Sequence, residues 1–168
     1  NEYGILFETT FENQRIKGSI EIQKYGEEVN KMEDKYEYNK IKLKGVVIGL
    51  YKDNKLINEY VTDENGYIKI NDLELGTYTI KEISTIGEHI LDLNTYEITL
   101  KYKDQYTPLI NYKIELNNYL PKGKLEFTKT DYSTYEPIPN TLIEIYTEND
   151  ELLFSKRTDE NGKVIIEE

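Results

Sequence analysis

The 168-residue chain contains no cysteine, so no disulfide can staple its fold and no thiol can serve as nucleophile or metal ligand. Alanine is missing as well, which removes the strongest helix former from the composition. His89 is the single histidine. A histidine-based triad or zinc site therefore has little to build on, and the ordinary reading of His89 is a loop residue. Basic charge is in deficit, with 21 Lys and Arg against 32 Asp and Glu and a formal charge of −11. Such a field repels phosphates and argues against nucleic acid and anionic membrane surfaces as partners. No apolar run reaches the length of a membrane-spanning helix, so direct membrane insertion is not expected. The opening NEYGILFETT lacks the basic and apolar regions of a signal peptide. The chain therefore reads as cytosolic or as a piece of a longer exported protein.

What is abundant points to β-structure. Sixteen tyrosines and many Ile, Thr and Val residues suit a pleated, half-buried surface. Alternating segments recur: SIEIQK, GVVIGLY, GYIKIN, TYTIKEI, TYEITLKY, YKIELN, KLEFTKT, LIEIYT and KVIIEE. Turn signals separate them, at KDNK (52–55), DENG (63–66), END (148–150) and DENG again (159–162). The expected fold class is all-β, an antiparallel sandwich. Residues 26–40, GEEVNKMEDKYEYNK, are polar enough to read as a loop or a short exposed helix. The two TDENG segments offer oxygen ligands but lack the extended ligand series and closing glutamate of a calcium loop, so they read as hairpin turns. No metal or other cofactor is expected.

An internal repeat organises the chain. NQRIKGSIEIQK (13–24) aligns with NYLPKGKLEFTK (118–129), so that Asn13 and Asn118, Gly18 and Gly123, and Lys24 and Lys129 each stand 105 residues apart. TDENGYIKI from Thr62 and TDENGKVII from Thr158 stand 96 apart, the difference lying in a longer segment after Lys24. The expected organisation is the last strand of a preceding repeat at 1–17, a complete β-sandwich at 18–121, and the N-terminal part of a following repeat at 122–168. LPKG (120–123) serves as the interdomain linker.

Strand parity then places three polar residues on the inward face of the complete copy. Lys24 is in phase with Ile20 and Ile22, Glu82 with Tyr78 and Ile80, and Asn118 with Ile114 and Leu116, because side chains alternate along a strand. Asn117 falls on the outward face. An unpaired buried ammonium costs several kcal/mol, so an inward lysine either escapes at the strand end or is used.

Around these residues, the motifs GSIEIQK, GVVIGLYKDNKLINEYVTDENGYIKINDLELGTYTIKE and IELNN before KGKLEFTK resemble the collagen-adhesin B-type (Cna B-type, SpaA-like, prealbumin-like) domains of Gram-positive surface proteins and pilins. The resemblance covers essentially the whole chain and is most specific over Leu73–Glu82. The loop that follows, ISTIGEHIL, departs from the Ala-Pro and Gly-Tyr pattern of the family. The resemblance implies a spontaneous isopeptide bond between Lys24 and Asn118, assisted by Glu82 as catalytic acid. Burial disfavours charged forms, so a neutral Lys24 amine would attack while a protonated Glu82 polarises the Asn118 carboxamide. This is a single self-modification, so the chain is not expected to be an enzyme. Asn13 and Lys129 would be the corresponding crosslink residues of the flanking partial repeats, without partners in this chain.

The resemblance further implies a stalk or backbone repeat of an extracellular, cell-wall-anchored adhesin or pilin, with anchor and signal peptide outside this sequence. Its partners would be adjacent repeats of the same polypeptide, and host matrix or other surface proteins would be met through other domains. Two other readings stay open at this point. One is a carbohydrate- or host-protein-binding module with exposed aromatics on one face. The other is a prealbumin-like accessory domain of a secreted enzyme without the crosslink.

Overall fold

A computed structural model describes residue 10 and residues 15–32 and 36–167. Among these there is no helix, and twelve strands account for the regular structure. The described chain gathers into two compact units. The first comprises the described residues up to Lys24 with Leu43–Thr85 and Leu91–Leu116, and the second comprises Tyr25–Lys42, Ile86–Ile90 and the chain from Asn117 onward.

The first unit is built from two sheets. In one, the N-terminal half of β1 (Lys17–Lys31) runs antiparallel to β5 (Tyr67–Leu73) with Ile20 opposite Ile70 and Ile22 opposite Ile68, and β8 (Leu109–Asn117) also pairs with β1. The other is antiparallel in the order β4 (Lys55–Val61), β3 (Val47–Lys52), β6 (Gly76–Ser84), β7 (Thr95–Leu100). The KDNK segment closes the β3–β4 hairpin with positive φ at Asp53 (51°) and Asn54 (62°), the backbone of a two-residue turn whose twist matches that of its strands. Alternation supplies the core: Ile20, Ile22, Ile68 and Ile70 from one sheet and Ile48, Leu50, Tyr78, Ile80, Ile98 and Leu100 from the other are buried. At roughly 1.5–3 kcal/mol per buried side chain, this unit carries most of the hydrophobic stabilisation. Of the buried apolar residues among those described, only Val164 and Ile166 belong to the second unit.

In the second unit the C-terminal half of β1 forms a hairpin with β2 (Tyr36–Lys42), from Tyr25 opposite Lys42 to Lys31 opposite Tyr36. This corrects the expectation of a loop or short helix over 26–40. The charged residues alternate with Tyr and Val, and cross-strand contacts such as the Lys40 ammonium 3.8 Å from the Tyr25 ring centre hold the pair. The remaining strands are β9 (Lys124–Thr128) with β12 (Lys163–Glu167), and β10 (Leu142–Tyr146) with β11 (Leu152–Arg157). The His89 ring joins the 86–90 loop to β1, with Nε2 2.8 Å from the Glu27 carbonyl oxygen.

The repeated sequence is repeated hydrogen bonding. In the first copy Lys24 N–H donates to the Gly66 carbonyl (2.7 Å) and Leu43 N–H to that of Lys24 (3.1 Å). In the second, Lys129 N–H donates to Gly162 (2.8 Å) and Ile138 N–H to Lys129 (2.9 Å). The Thr62 hydroxyl donates to Leu43 O (2.7 Å) and Thr158 to Ile138 O (2.9 Å). Both TDENG segments are turns in which the aspartate accepts two backbone N–H groups: Asp63 from Asn65 and Tyr67, Asp159 from Asn161 and Lys163. Even the register break between Leu50 and Tyr51 in β3 recurs between Ile145 and Tyr146 in β10.

Candidate functional site

The polar residues of the first core converge on the point where β1 changes partner. Its pairing with β5 ends at Gln23 opposite Tyr67 and its pairing with β2 begins at Tyr25. Lys24, between them, spends its backbone N–H on Gly66, and its side chain follows Ile20 and Ile22 inward. It is completely buried. Across the sandwich, β6 presents Tyr78, Ile80 and Glu82 to the same core, with Ile80 opposite Leu50 and Glu82 opposite Ile48 on β3. Lys24 Nζ lies 2.6 Å from Glu82 Oε2, and the two side chains are 0% and 1% exposed. An ion pair taken fully out of water costs several kcal/mol per charge before its mutual attraction is counted. A core of isoleucine would be more stable without one.

Asn118 belongs to the second unit and is likewise buried. Its backbone N–H donates to the carbonyl of Tyr25, the residue after Lys24, at 2.9 Å. Asn117 is less buried, as its opposite parity requires. Asn13 lies outside the described residues. Lys129 repeats the backbone bonds of Lys24, but its side chain is exposed. Its strand neighbours Leu125 and Phe127 are 50% and 39% exposed, where Ile20 and Ile22 are fully buried.

The structure adds two residues that parity did not single out. Asp92 N–H approaches Glu82 Oε1 at 3.4 Å, and the Asp92 carboxylate accepts the Tyr96 hydroxyl at 2.6 Å and the Asn94 N–H at 3.0 Å. Burial pushes the Asp92 carboxyl up, but the Tyr96 and Asn94 bonds and the Lys24 charge outweigh it and hold it below the usual aspartate range. Burial, followed by the bond to Asp92 and its charge, pushes the Tyr96 phenol up to about 12. The sequence signal was Asp92-x-Asn94 ahead of a strand, the pattern of a side-chain-closed turn.

A two-sheet antiparallel sandwich with an amine and a carboxyl sealed in its core defines a prealbumin-like structural domain. The chain belongs to the SpaA family of prealbumin-like fold domains, whose model matches residues 18–115. Over 65 residues, 38% of this chain, it is 37% identical to the trypsin-resistant surface T6 protein of Streptococcus pyogenes serotype M6, covering 12% of that protein. The Bacillus anthracis TIE protein matches over 91% of this chain and 26% of its own, at 28% identity and a TM-score of 0.58. BcpA, the major pilin subunit of Bacillus cereus, shares the fold over 66% of this chain and 31% of its own, at 20% identity and a TM-score of 0.50. The chain thus spans only a minor part of each of these proteins.

Proposed function

We propose that this chain is a load-bearing module of a Gram-positive surface protein or pilin, locked by an isopeptide bond between Lys24 and Asn118 that Glu82 promotes. The single observation that carries the reading is the fully buried Lys24–Glu82 pair in a core built mainly of isoleucine and leucine. Family membership and likeness to a streptococcal surface protein support the location outside the cell. Neighbours along the same polypeptide or shaft are the expected partners, and host contacts and wall anchoring fall to other domains. The reading keeps a complete repeat at 18–121 with partial repeats at 1–17 and 122–168; the hydrogen bonding that recurs between residues 24–66 and 129–162 supports the start of a second copy after 122.

The chemistry balances within the three side chains. Proton transfer from the Lys24 ammonium to Glu82 turns a costly buried ion pair into a neutral amine and a carboxylic acid. The amine attacks Asn118 Cγ while the acid hydrogen-bonds its oxygen, general acid catalysis applied to the protein itself. The surplus amine proton passes through Glu82 to the departing nitrogen, ammonia leaves, and an amide joins Lys24 to Asn118. Pulled at its ends, a module linked in this way passes tension from the first strand to the last without unzipping the sheets between them.

Intact-mass spectrometry tests the reading directly. The purified chain is expected to weigh one ammonia less than its sequence. The full sequence mass would overturn it. Amine-selective labelling with peptide mapping is expected to modify Lys129 and spare Lys24. Protection of Lys129, or a second lost ammonia, would move the domain boundaries.

A further inference from the structure

We propose that Asp92 and Tyr96 are positioning residues for Glu82, holding its carboxyl in place through the Asp92 backbone N–H. The inference rests on the reading of Lys24, Glu82 and Asn118 given above.

The ladder between β6 and β7 ends at Lys81 opposite Thr95. Glu82 is therefore one residue past the last pair, and on that side it is flanked by the irregular residues 91–94 in place of a strand. From this segment the Asp92 N–H approaches the carboxyl, 3.4 Å from Oε1. A bond of that length is weak in itself, so what it can do is orient the carboxyl, and that requires a fixed donor. Here it is held. Asp92 Oδ1 accepts from Asn94 N–H (3.0 Å) and Asn94 Nδ2 (2.8 Å), and Oδ2 accepts the Tyr96 hydroxyl (2.6 Å). Tyr96 is anchored in turn by pairing with Ile80, two residues before Glu82. The groups facing the pair are Asn94 from the same segment, Glu82 from β6 and, through its charge, Lys24 from β1. With Asp92 held down and Tyr96 held up, the phenol stays a donor and the carboxylate an acceptor throughout the neutral range. Both oxygens of Asp92 are spent on orienting bonds, so the pair supports Glu82 and does not react. Supporting groups of this kind commonly matter by ten- to a hundredfold in the activity of the group they orient, as measured for metal ligands.

The test follows ammonia loss in the full chain after dilution from denaturant, by intact mass against time, with folding monitored by circular dichroism in the same samples. Tyr96→Phe is expected to slow the loss about tenfold, Asp92→Asn to a similar extent, and the double variant no more than the slower single one, since all three break one path. In a Lys24→Met background, which cannot react, adding Tyr96→Phe should leave the thermal midpoint within a few degrees. Unchanged rates in both single variants would overturn the inference and leave the isopeptide reading standing. Slowing matched by equally slowed folding, or by a large drop in midpoint in the Lys24→Met background, would assign the pair a purely structural role and also overturn it. A parent chain that keeps its ammonia sinks both readings together.

Discussion

Glu82→Gln is expected to yield a folded chain of full sequence mass whose thermal midpoint falls by at least the roughly 15–30 °C that loss of the link alone would give, and which becomes sensitive to protease. The link would close a loop from Lys24 to Asn118, a separation of 94 residues, and a closure of that length is worth on the order of 4 kcal/mol if the loop-entropy treatment of disulfides carries over. For a domain of this size each kcal/mol moves the midpoint by roughly 4–8 °C. The glutamine keeps the shape of the acid but deprives the buried Lys24 ammonium of its partner carboxylate, a penalty of roughly 3–5 kcal/mol when one member of a buried pair is removed. Lys24→Met abolishes the link but leaves the Glu82 carboxyl buried without its partner. The double variant Lys24→Met with Glu82→Gln abolishes the link, buries no charge and so separates the two contributions. Its midpoint should fall by the loop term alone and lie above that of Glu82→Gln. Ammonia loss persisting in Glu82→Gln would remove Glu82 from the chemistry.

A second large effect is expected at a residue with no side chain. Gly66 has φ +65°, and a Cβ there would run into the carbonyl oxygen of Lys24 and come within 2.9 Å of Leu43 N. Both obstacles are backbone and cannot swing aside, and the left-handed φ adds its own cost. Gly66→Ala should therefore destabilise the chain by about 3 kcal/mol or more and, by displacing Lys24, slow the loss of ammonia. Gly162 offers the matched control: φ +69°, with a Cβ that would meet the Lys129 carbonyl and lie 3.1 Å from Ile138 N. Gly162→Ala should loosen residues 124–167 in hydrogen exchange and leave ammonia loss untouched. Equal denaturation midpoints for Gly66→Ala and the parent would show that the turn can relax and that Lys24 does not depend on it.

Period-two alternation was enough to read the inward face of β1, β6 and β8, because Ile20, Ile22, Tyr78, Ile80 and Leu116 contrast with charged or polar neighbours. Lys24, Glu82 and Asn118 are buried where that phase puts them. The alternation fails where a strand has no buried face. β4 is exposed at nearly every position, and β2 and the outer half of β1 carry charge on both arms, so KLINEYV and the 26–40 hairpin lack the contrast that marks a strand. Asp92 and Tyr96 escaped for another reason. Asp92 works through its backbone N–H, which every residue but proline possesses, and only the fold shows which carboxyl that N–H faces.

Ladders built on one register have interchangeable parts. The ladder of Ile20–Gln23 with Tyr67–Ile70 is position for position the ladder of Leu125–Thr128 with Lys163–Ile166. During folding each strand thus meets, in the neighbouring copy, a rival partner of the right length and alternation, the circumstance in which tandem repeats exchange strands and misassemble. Backbone pairing cannot tell the rivals apart, so the discrimination falls to side chains and insertions. Phe127 stands where the first copy has Ile22, too bulky for a core already closed around isoleucine. The β1–β2 hairpin, extended by the longer segment after Lys24, gives the first copy a partner close in sequence, whose closure costs less loop entropy than pairing with a distant strand. Making the copies more alike is therefore expected to lower the yield of correctly folded chain, because it would remove the side-chain differences that separate the rival pairings.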